Sequence, residues 1–194
     1  MLWEHKELEM QLWSCIMVNV EKLTNKKLAI ELKPYCDQHH IKTISWLNSE
    51  DIKNTFGLTY HITVEQHDSW LKKNPNYLMW TINYKEVHVG NISLQINNRH
   101  HSANLQIYIG DNRFRGKRIG YHTMLLLLNE LFTKSEINRI ELCTLTDNKI
   151  AIALYKKIGF TFEGTHRQVI FKNNKYFDQY YWSILAEDWH DIRN

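Results

Sequence analysis

The chain has 194 residues, 43% apolar and 12% aromatic, with 7 Gly and 2 Pro; average usage of ~7% and ~5% would give roughly 14 and 10. Such a chain buries enough surface to offset its ordering entropy, which excludes a disordered, collagen-like or linker-rich polypeptide and suits one domain with a real core. A formal charge of +3, from 24 Lys and Arg against 21 Asp and Glu, makes no global case for nucleic acid.

Residues 1–25 read as an extension and 26–190 as the domain. In the extension Leu8, Leu12, Cys15, Ile16 and Val20 approximate helical spacing. Leu12 to Val20 is too short to span a bilayer, and Glu4, Glu7 and Glu9 ahead of it do not suit a secretory signal. Lys27 to Leu32 alternates as a short strand that Pro34 ends, and Asp37 to Leu47 carries Ile41, Ile44 and Leu47 as a helix. A second helix opens at Thr63, an N-cap with Gln66 at the capping-box position.

Strands follow at Tyr77 to Asn83, Val87 to Ile96 and Asn104 to Ile109, with a bulge at Gly90 and a polar turn from Asn97 to Ser102. Ile119 to Lys134 is apolar on nearly every side, which predicts a buried helix. Arg139 to Leu145 is a strand and Asp147 to Ile158 a helix stopped by Gly159. Phe160 to Phe171 and Tyr176 to Leu185 form a hairpin closed by two asparagines. This order predicts an α+β fold, a mixed and mostly antiparallel seven-stranded sheet flanked by about four helices. Cys15, Cys36 and Cys143 lack metal-ligand spacing and point to a reducing compartment, so a cytoplasmic protein without metal or membrane partner is expected. Monomer and homodimer both suit the sequence.

Two segments carry chemistry. The turn from Asp111 to Gly120 places Arg113, Arg115, Lys117 and Arg118 with Gly116 and Gly120 before a helix. Unpartnered amides and the helix dipole favour an anion there, and a pyrophosphate is the natural guest. The ordinary alternative is a solvated basic turn. The Walker and dinucleotide glycine patterns are both missing. Thirty residues on, Asn148, Ala151, Tyr155, Gly159 and Phe160 mark a strand-to-helix junction, which alone reads as a capped amphipathic helix.

Together, Arg115-Gly116-Lys117-Arg118-Ile119-Gly120 and the Asn148 to Phe160 spacing resemble the Gcn5-related N-acetyltransferase (GNAT) superfamily over Lys27 to Trp189. The ending Phe162 to Arg167, Asp178 and Trp182 is similar to the branch of ribosomal-protein and nucleotide-amino-sugar N-acetyltransferases. The resemblance implies acetyl-CoA as cofactor. It places the turn from Arg113 through Ile119 and Gly120 to Tyr121 around the pyrophosphate. Ile107, Tyr108 and Ile109 would lie along the pantetheine, with Asn148 and Ala151 near the thioester and Tyr155 beside the sulfur. The family usually has glycine where Arg118 stands, a departure tolerable if its φ is negative.

The implied reaction is direct attack of a primary amine on the thioester, with Tyr155 as general acid. For the base, Asn104 and Gln106 cannot accept a proton. His101 is the nominated residue, with His100, His88 and His67 as further histidines and a water chain without a single base as the equal alternative. The segment from Ile62 through Trp80 resembles acetyltransferases of nucleotide-linked 4-amino-6-deoxy sugars. Trp46, His67, Trp70, Trp80 and His88 are the expected acceptor residues, although filling the core is the more ordinary role for the tryptophans. A protein N-terminal acetyltransferase and a non-catalytic CoA-binding module are the alternatives.

Overall fold

In a computed structural model of the chain, residues 23–193 are described. Most of the expected extension, including Cys15, lies outside them. The strands are β1 (Thr24–Asn25), β2 (Ile30–Pro34), β3 (Tyr77–Tyr84), β4 (Val87–Asn97), β5 (Ser102–Ile109), β6 (Arg139–Leu145), β7 (Thr161–Lys172) and β8 (Lys175–Leu185). They form one eight-stranded sheet in the order β1-β2-β3-β4-β5-β6-β8-β7. Every neighbouring pair is antiparallel except β5 with β6. The mixed, mostly antiparallel sheet is as expected. Its eighth strand is β1, two residues paired with Ile30 and Glu31, too short to leave a sequence pattern.

The helices are α1 (His40–Leu47), α2 (Glu50–Phe56), α3 (Val64–Lys73), α4 (Ile119–Lys134), α5 (Lys149–Ile158) and α6 (Ala186–Arg193). Four were expected. The additions, α2 and α6, are seven and eight residues long, too short for a helical period to show. α2 begins where Ser49 Oγ accepts from Ile52 N–H (3.4 Å) and ends at Gly57, in the left-handed region at φ +68°. α3 starts on the expected capping box of Thr63 and Gln66.

Alternation divides the sheet into two unlike faces. Leu78, Trp80 and Ile82 of β3, Ile92 and Leu94 of β4, Leu105 of β5, Ile140 and Leu142 of β6, and Trp182 and Ile184 of β8 join one buried core with Met124, Leu127, Leu128 and Leu131 of α4. The opposite face is polar. Thr81, Asn83, Asn91 and Ser93 are all at most 6% exposed, and Asn91 bonds Thr43 of α1 above it. Between β3 and β4 the register shifts, Ile82 facing Gly90 and Asn83 facing His88. The extra residue is therefore Val89, beside the glycine where a bulge was expected.

Candidate active site

β5 and β6 pair only at their starts, Ser102 with Arg139, Ala103 with Ile140 and Asn104 with Glu141. Beyond that apex Leu105 to Ile109 stays on β4 and Leu142 to Leu145 stays on β8. The two strands therefore part into a wedge whose inner backbone edges lack a strand partner among the described residues. Exposed backbone amides and carbonyls need partners, and an extended amide-bearing chain such as a pantetheine fits that demand.

The wedge opens toward the turn before α4. Asp111 accepts from Arg113 N–H (3.1 Å) and starts a short 3-10 turn at Asn112–Phe114. Gly116 and Arg118 follow in the left-handed region at φ +73° and +58°. The condition under which Arg118 would be tolerated, a negative φ, is not met: the chain keeps a backbone suited to glycine and strains a β-carbon into it. The first helical bond of α4 runs from His122 N–H to Arg118 O (3.1 Å). Among the described residues, the amides from Gly116 to Tyr121 have no backbone acceptor, so they face outward as an anion cradle.

Two of the four cations are already engaged. Arg113 grips Asp111 (3.0 and 2.7 Å), and Arg115 reaches Asp51 of α2 (3.2 Å) and the Ile109 carbonyl (2.9 Å). Lys117 lies over the Phe114 ring (5.0 Å), and Arg118 has no partner among the described residues. Arg118 and Lys157 both act on His122. Burial, then Arg118 and Lys157, holds the His122 pKa down, and Lys157 covers the Tyr121 ring (5.0 Å). The available positive charge is therefore Lys117, Arg118 and Lys157. Lys157 was missed in sequence because it comes from α5.

Tyr155 on α5 belongs to the core cluster with Leu142 and Trp182. It is 7% exposed, packed on Phe160 and Trp182, and no hydrogen bond engages its phenol among the described residues. Burial, then the nearby Cys143 thiol, pushes its pKa well above the usual phenol value. It keeps its proton at neutral pH. Asn148 spends its Oδ1 capping α5 at Ala151 N–H (3.1 Å), which leaves its amide N–H groups to donate.

On the polar face, a floor runs from Ser93 and Gln106 across the wedge to Cys143 and Tyr181. Glu141 adjoins it at the apex. One oxygen of Glu141 accepts from Arg139 (3.3 and 3.2 Å), and the other has no partner among the described residues. This carboxylate escaped sequence reading because only the register of β5 with β6 brings it to the apex. Arg139 also holds Glu163 through two 2.6 Å bonds.

The wall over β4 and β5 is aromatic. Trp46 lies edge-on to His88 (4.8 Å) and Tyr108 (6.4 Å) and against Gly110, where a β-carbon would fall 2.1 Å from the indole. Asn91 donates to Thr43 Oγ1 (3.0 Å) and Tyr108 Oη (2.6 Å) and accepts from His88 Nε2 (2.9 Å). Only the backbone of Tyr108 is thus at the wedge edge. Burial lowers His67 and His88 to about 4, so both are neutral at pH 7. His67 packs on Tyr35 and His40, and Trp70 on Tyr77 at the rim. Asp37, His40 and Asp68 converge within 4.8 Å, with Asp68 already paired to Lys72 (2.6 Å).

The far end of the cleft is roofed by α2 and the β7–β8 hairpin. Lys172 bonds Asn54, and Ile170 packs so closely on Gly57 that a β-carbon there would come within 2.9 Å. Beneath lies a cavity of about 310 Å³ lined by Asn54, Leu145, Asp147, Ile170, Lys172, Asn173 and Phe177.

Two expected residues lie elsewhere. Trp80, 1% exposed, faces the α4 core with Leu78 and Ile82; strand alternation points it away from the polar face. His101 sits three residues before the apex, half exposed, with Nδ1 3.5 Å from Glu136, and so does not reach the wedge beyond Asn104.

Known proteins fit this geometry. Residues 35–181 match the family model described as an acetyltransferase (GNAT) domain. The chain is 31% identical over 96 residues to the L-amino acid N-acetyltransferase AaaT of Escherichia coli, covering 48% of this chain and 59% of that relative's length. Among solved structures, spermidine N-acetyltransferase from Vibrio cholerae in complex with CoA and spermine superposes with TM-score 0.77 at 21% identity, over 84% of this chain and 98% of that one. RimL, a ribosomal L7/L12 alpha-N-protein acetyltransferase, in complex with CoA as a CoA–cysteine disulfide, gives 0.69 at 18%, over 81% and 94%. The chain belongs to the GNAT acetyltransferase family, in which acetyl-CoA is the donor.

Proposed function

We propose that the protein transfers an acetyl group from acetyl-CoA to one primary amine in a ternary complex, and that the acceptor is a nucleotide-linked amino sugar. The single observation that carries the transfer reading is the wedge, with a free-amide cradle at its mouth and a buried phenol on α5. The cradle amides, Lys117, Arg118 and Lys157 hold the pyrophosphate and neighbouring phosphate charge. Backbone edges of β5 align the pantetheine. Acetyl-CoA supplies the activated thioester when bound. The Tyr155 phenol donates its proton toward the leaving sulfur, and the open oxygen of Glu141 takes the amine's proton, directly or through water. His88, neutral and bonded to Asn91, positions the wall.

The acceptor reading rests on charge and rings. Asp51 is paired with Arg115, and Glu141 and Glu163 share Arg139. Asp147 alone lines the cavity as a carboxylate, which suits one ammonium and not a polycation. Trp46, Trp70 and Tyr77 offer faces to a sugar or base, and Lys42 and Lys172 suit phosphate. Thiol release from acetyl-CoA should be fastest with a nucleoside-diphosphate-linked 4-amino-6-deoxy sugar among a panel that includes amino acids, spermidine and ribosomal N-terminal peptides. Preferential turnover of the peptides would replace this acceptor with a protein N-terminus. CoA binding without turnover of any amine would remove the transferase reading.

A further inference from the structure

The turn that leads into α1 carries side chains without a task in acetyl transfer. A 3-10 turn at Asp37–His39 runs directly into α1, so Asp37 and His40 stand three residues apart on one side of the chain. α1 packs against α3, which brings Asp68 opposite them. One ligand atom from each of Asp37, His40 and Asp68 lies within 4.8 Å of the other two. None of the three lines the cavity under the hairpin or belongs to the wedge strands.

His40 is the decisive member. It is 6% exposed, and its imidazole makes no hydrogen bond among the described residues. Its Nε2 is 4.0 Å from Asp37 Oδ1. That is too long for a hydrogen bond, but within the roughly 4.2 Å that two ligands can span when each lies ~2.0–2.2 Å from one ion. Tyr35 packs on this ring (5.4 Å) and on His67 (5.8 Å), and His67 lies edge-on to His40 (5.5 Å). His67 Nδ1 is itself buried with no hydrogen-bond partner. Two imidazoles thus hold nitrogens without a protein partner beside two carboxylates, where an interior normally supplies one. Asp68 gives one oxygen to Lys72 (2.6 Å) and keeps the other open among the described residues. The Asp37 side chain is 98% exposed, so an ion can enter from solvent.

We propose that Asp37, His40 and Asp68 form a zinc site that ties the start of α1 to α3. The donor set selects the metal class. Magnesium and calcium favour oxygen shells, whereas zinc takes imidazole nitrogen and carboxylate oxygen together. The two carboxylates balance the charge of the dication, and water completes the shell on the open side. That water can supply the partner that His67 Nδ1 lacks. Lys72 then orients Asp68 from outside the shell. Cysteine spacing carries no metal signal because this donor set uses no cysteine; Cys36 Sγ lies instead 3.4 Å from His39 Nδ1.

The test takes the tag-free full chain, strips it with EDTA, desalts it and titrates it with zinc chloride by calorimetry, with elemental analysis after dialysis. The expected result is one zinc ion per chain with a Kd below about 10 μM. The thermal midpoint should rise by about 5–10 °C at a free zinc concentration of about a hundred times Kd, and magnesium chloride should leave it unchanged. Asp37→Asn, on an exposed side chain, keeps the fold and weakens zinc at least about tenfold, as does Asp68→Asn. Cys36→Ser leaves the affinity as it was. Cobalt in place of zinc should show ligand-field absorption without a thiolate charge-transfer band. Equal zinc affinity in both Asn variants, loss of binding in Cys36→Ser, or a thiolate band with cobalt overturns the site. A wild-type chain that binds no zinc, or that binds magnesium as well as zinc, overturns it too. None of these outcomes touches the acetyl-transfer reading, which is tested on thiol release.

Discussion

At the residue scale, Tyr155 and Arg118 make opposite statements about what a motif guarantees. Tyr155 was singled out by the family resemblance and not by its spacing alone, which reads as a capped helix, and its burial explains why it stays protonated. Tyr155→Phe should lower kcat about 100-fold, within the usual range for general acid–base help, and leave the KM for acetyl-CoA within a factor of about two, because the ring packing survives. An unchanged kcat in steady-state assays would remove its role. Arg118 stands in a left-handed conformation that costs a β-carbon roughly 1–2 kcal/mol. Arg118→Gly should therefore gain about 0.5–1 kcal/mol, the penalty relieved less the freedom glycine adds to the unfolded chain. The same change removes a cation from the cradle, so CoA affinity should weaken several-fold by calorimetry. More stable protein with weaker binding is the signature; loss of both would mean the strain is absent. Glu141 was illegible, because a carboxylate on a strand acquires a role only through the neighbour it pairs with.

At the element scale, the expected strands and long helices are present because their patterns run for two or more turns or alternations. α2 and α6 leave no such pattern, yet α2 makes the contact that roofs the cavity we assign to the acceptor. Its Asn54 and Gly57 meet the β7–β8 hairpin at Lys172 and Ile170, a contact between segments more than a hundred residues apart. Gly57 had no reading in the sequence for that reason. Lys172→Ala together with Ile170→Ala should loosen this roof. The expected outcome is a rise of roughly tenfold in KM for the amine and little change in KM for acetyl-CoA, since the cradle lies on other elements. Parallel increases in both constants would show instead that the roof supports the whole sheet. The tryptophans divide by the same logic: the period of two sent Trp80 into the core, and the helix face put Trp46 against Gly110.

At the scale of the whole molecule, acid should destabilise the fold in two stages. His67 and His88 fall from 6.5 to about 4 on burial. Above pH 6.5 they are neutral in both states and contribute nothing. As pH falls from 6.5 toward 4 the unfolded chain binds up to two protons that the folded chain refuses, and stability drops. Glu163, held down to about 2 by Arg139 and then Ser183, stabilises above its ordinary value near 4.5 and loses that contribution as pH falls from 4.5 to 2; its exposure keeps this part small. Urea midpoints measured from pH 8 to 4 should fall, and His67→Leu should flatten the slope below 6.5; a flat wild-type profile would contradict the burial of these imidazoles. The proposed donor site was more legible than the proposed acceptor site because it uses a short contiguous turn, whereas the residues proposed for the amine are gathered from α1, α2, β6 and the last hairpin. The wedge has a further consequence for traffic. A gap through a sheet has two mouths, one at the cradle beside α4 and one on the polar floor, so each ligand has its own door and neither must leave for the other to arrive. Initial-rate plots should accordingly give intersecting lines in both substrates, and the spent carrier can depart while the acetylated product is still seated.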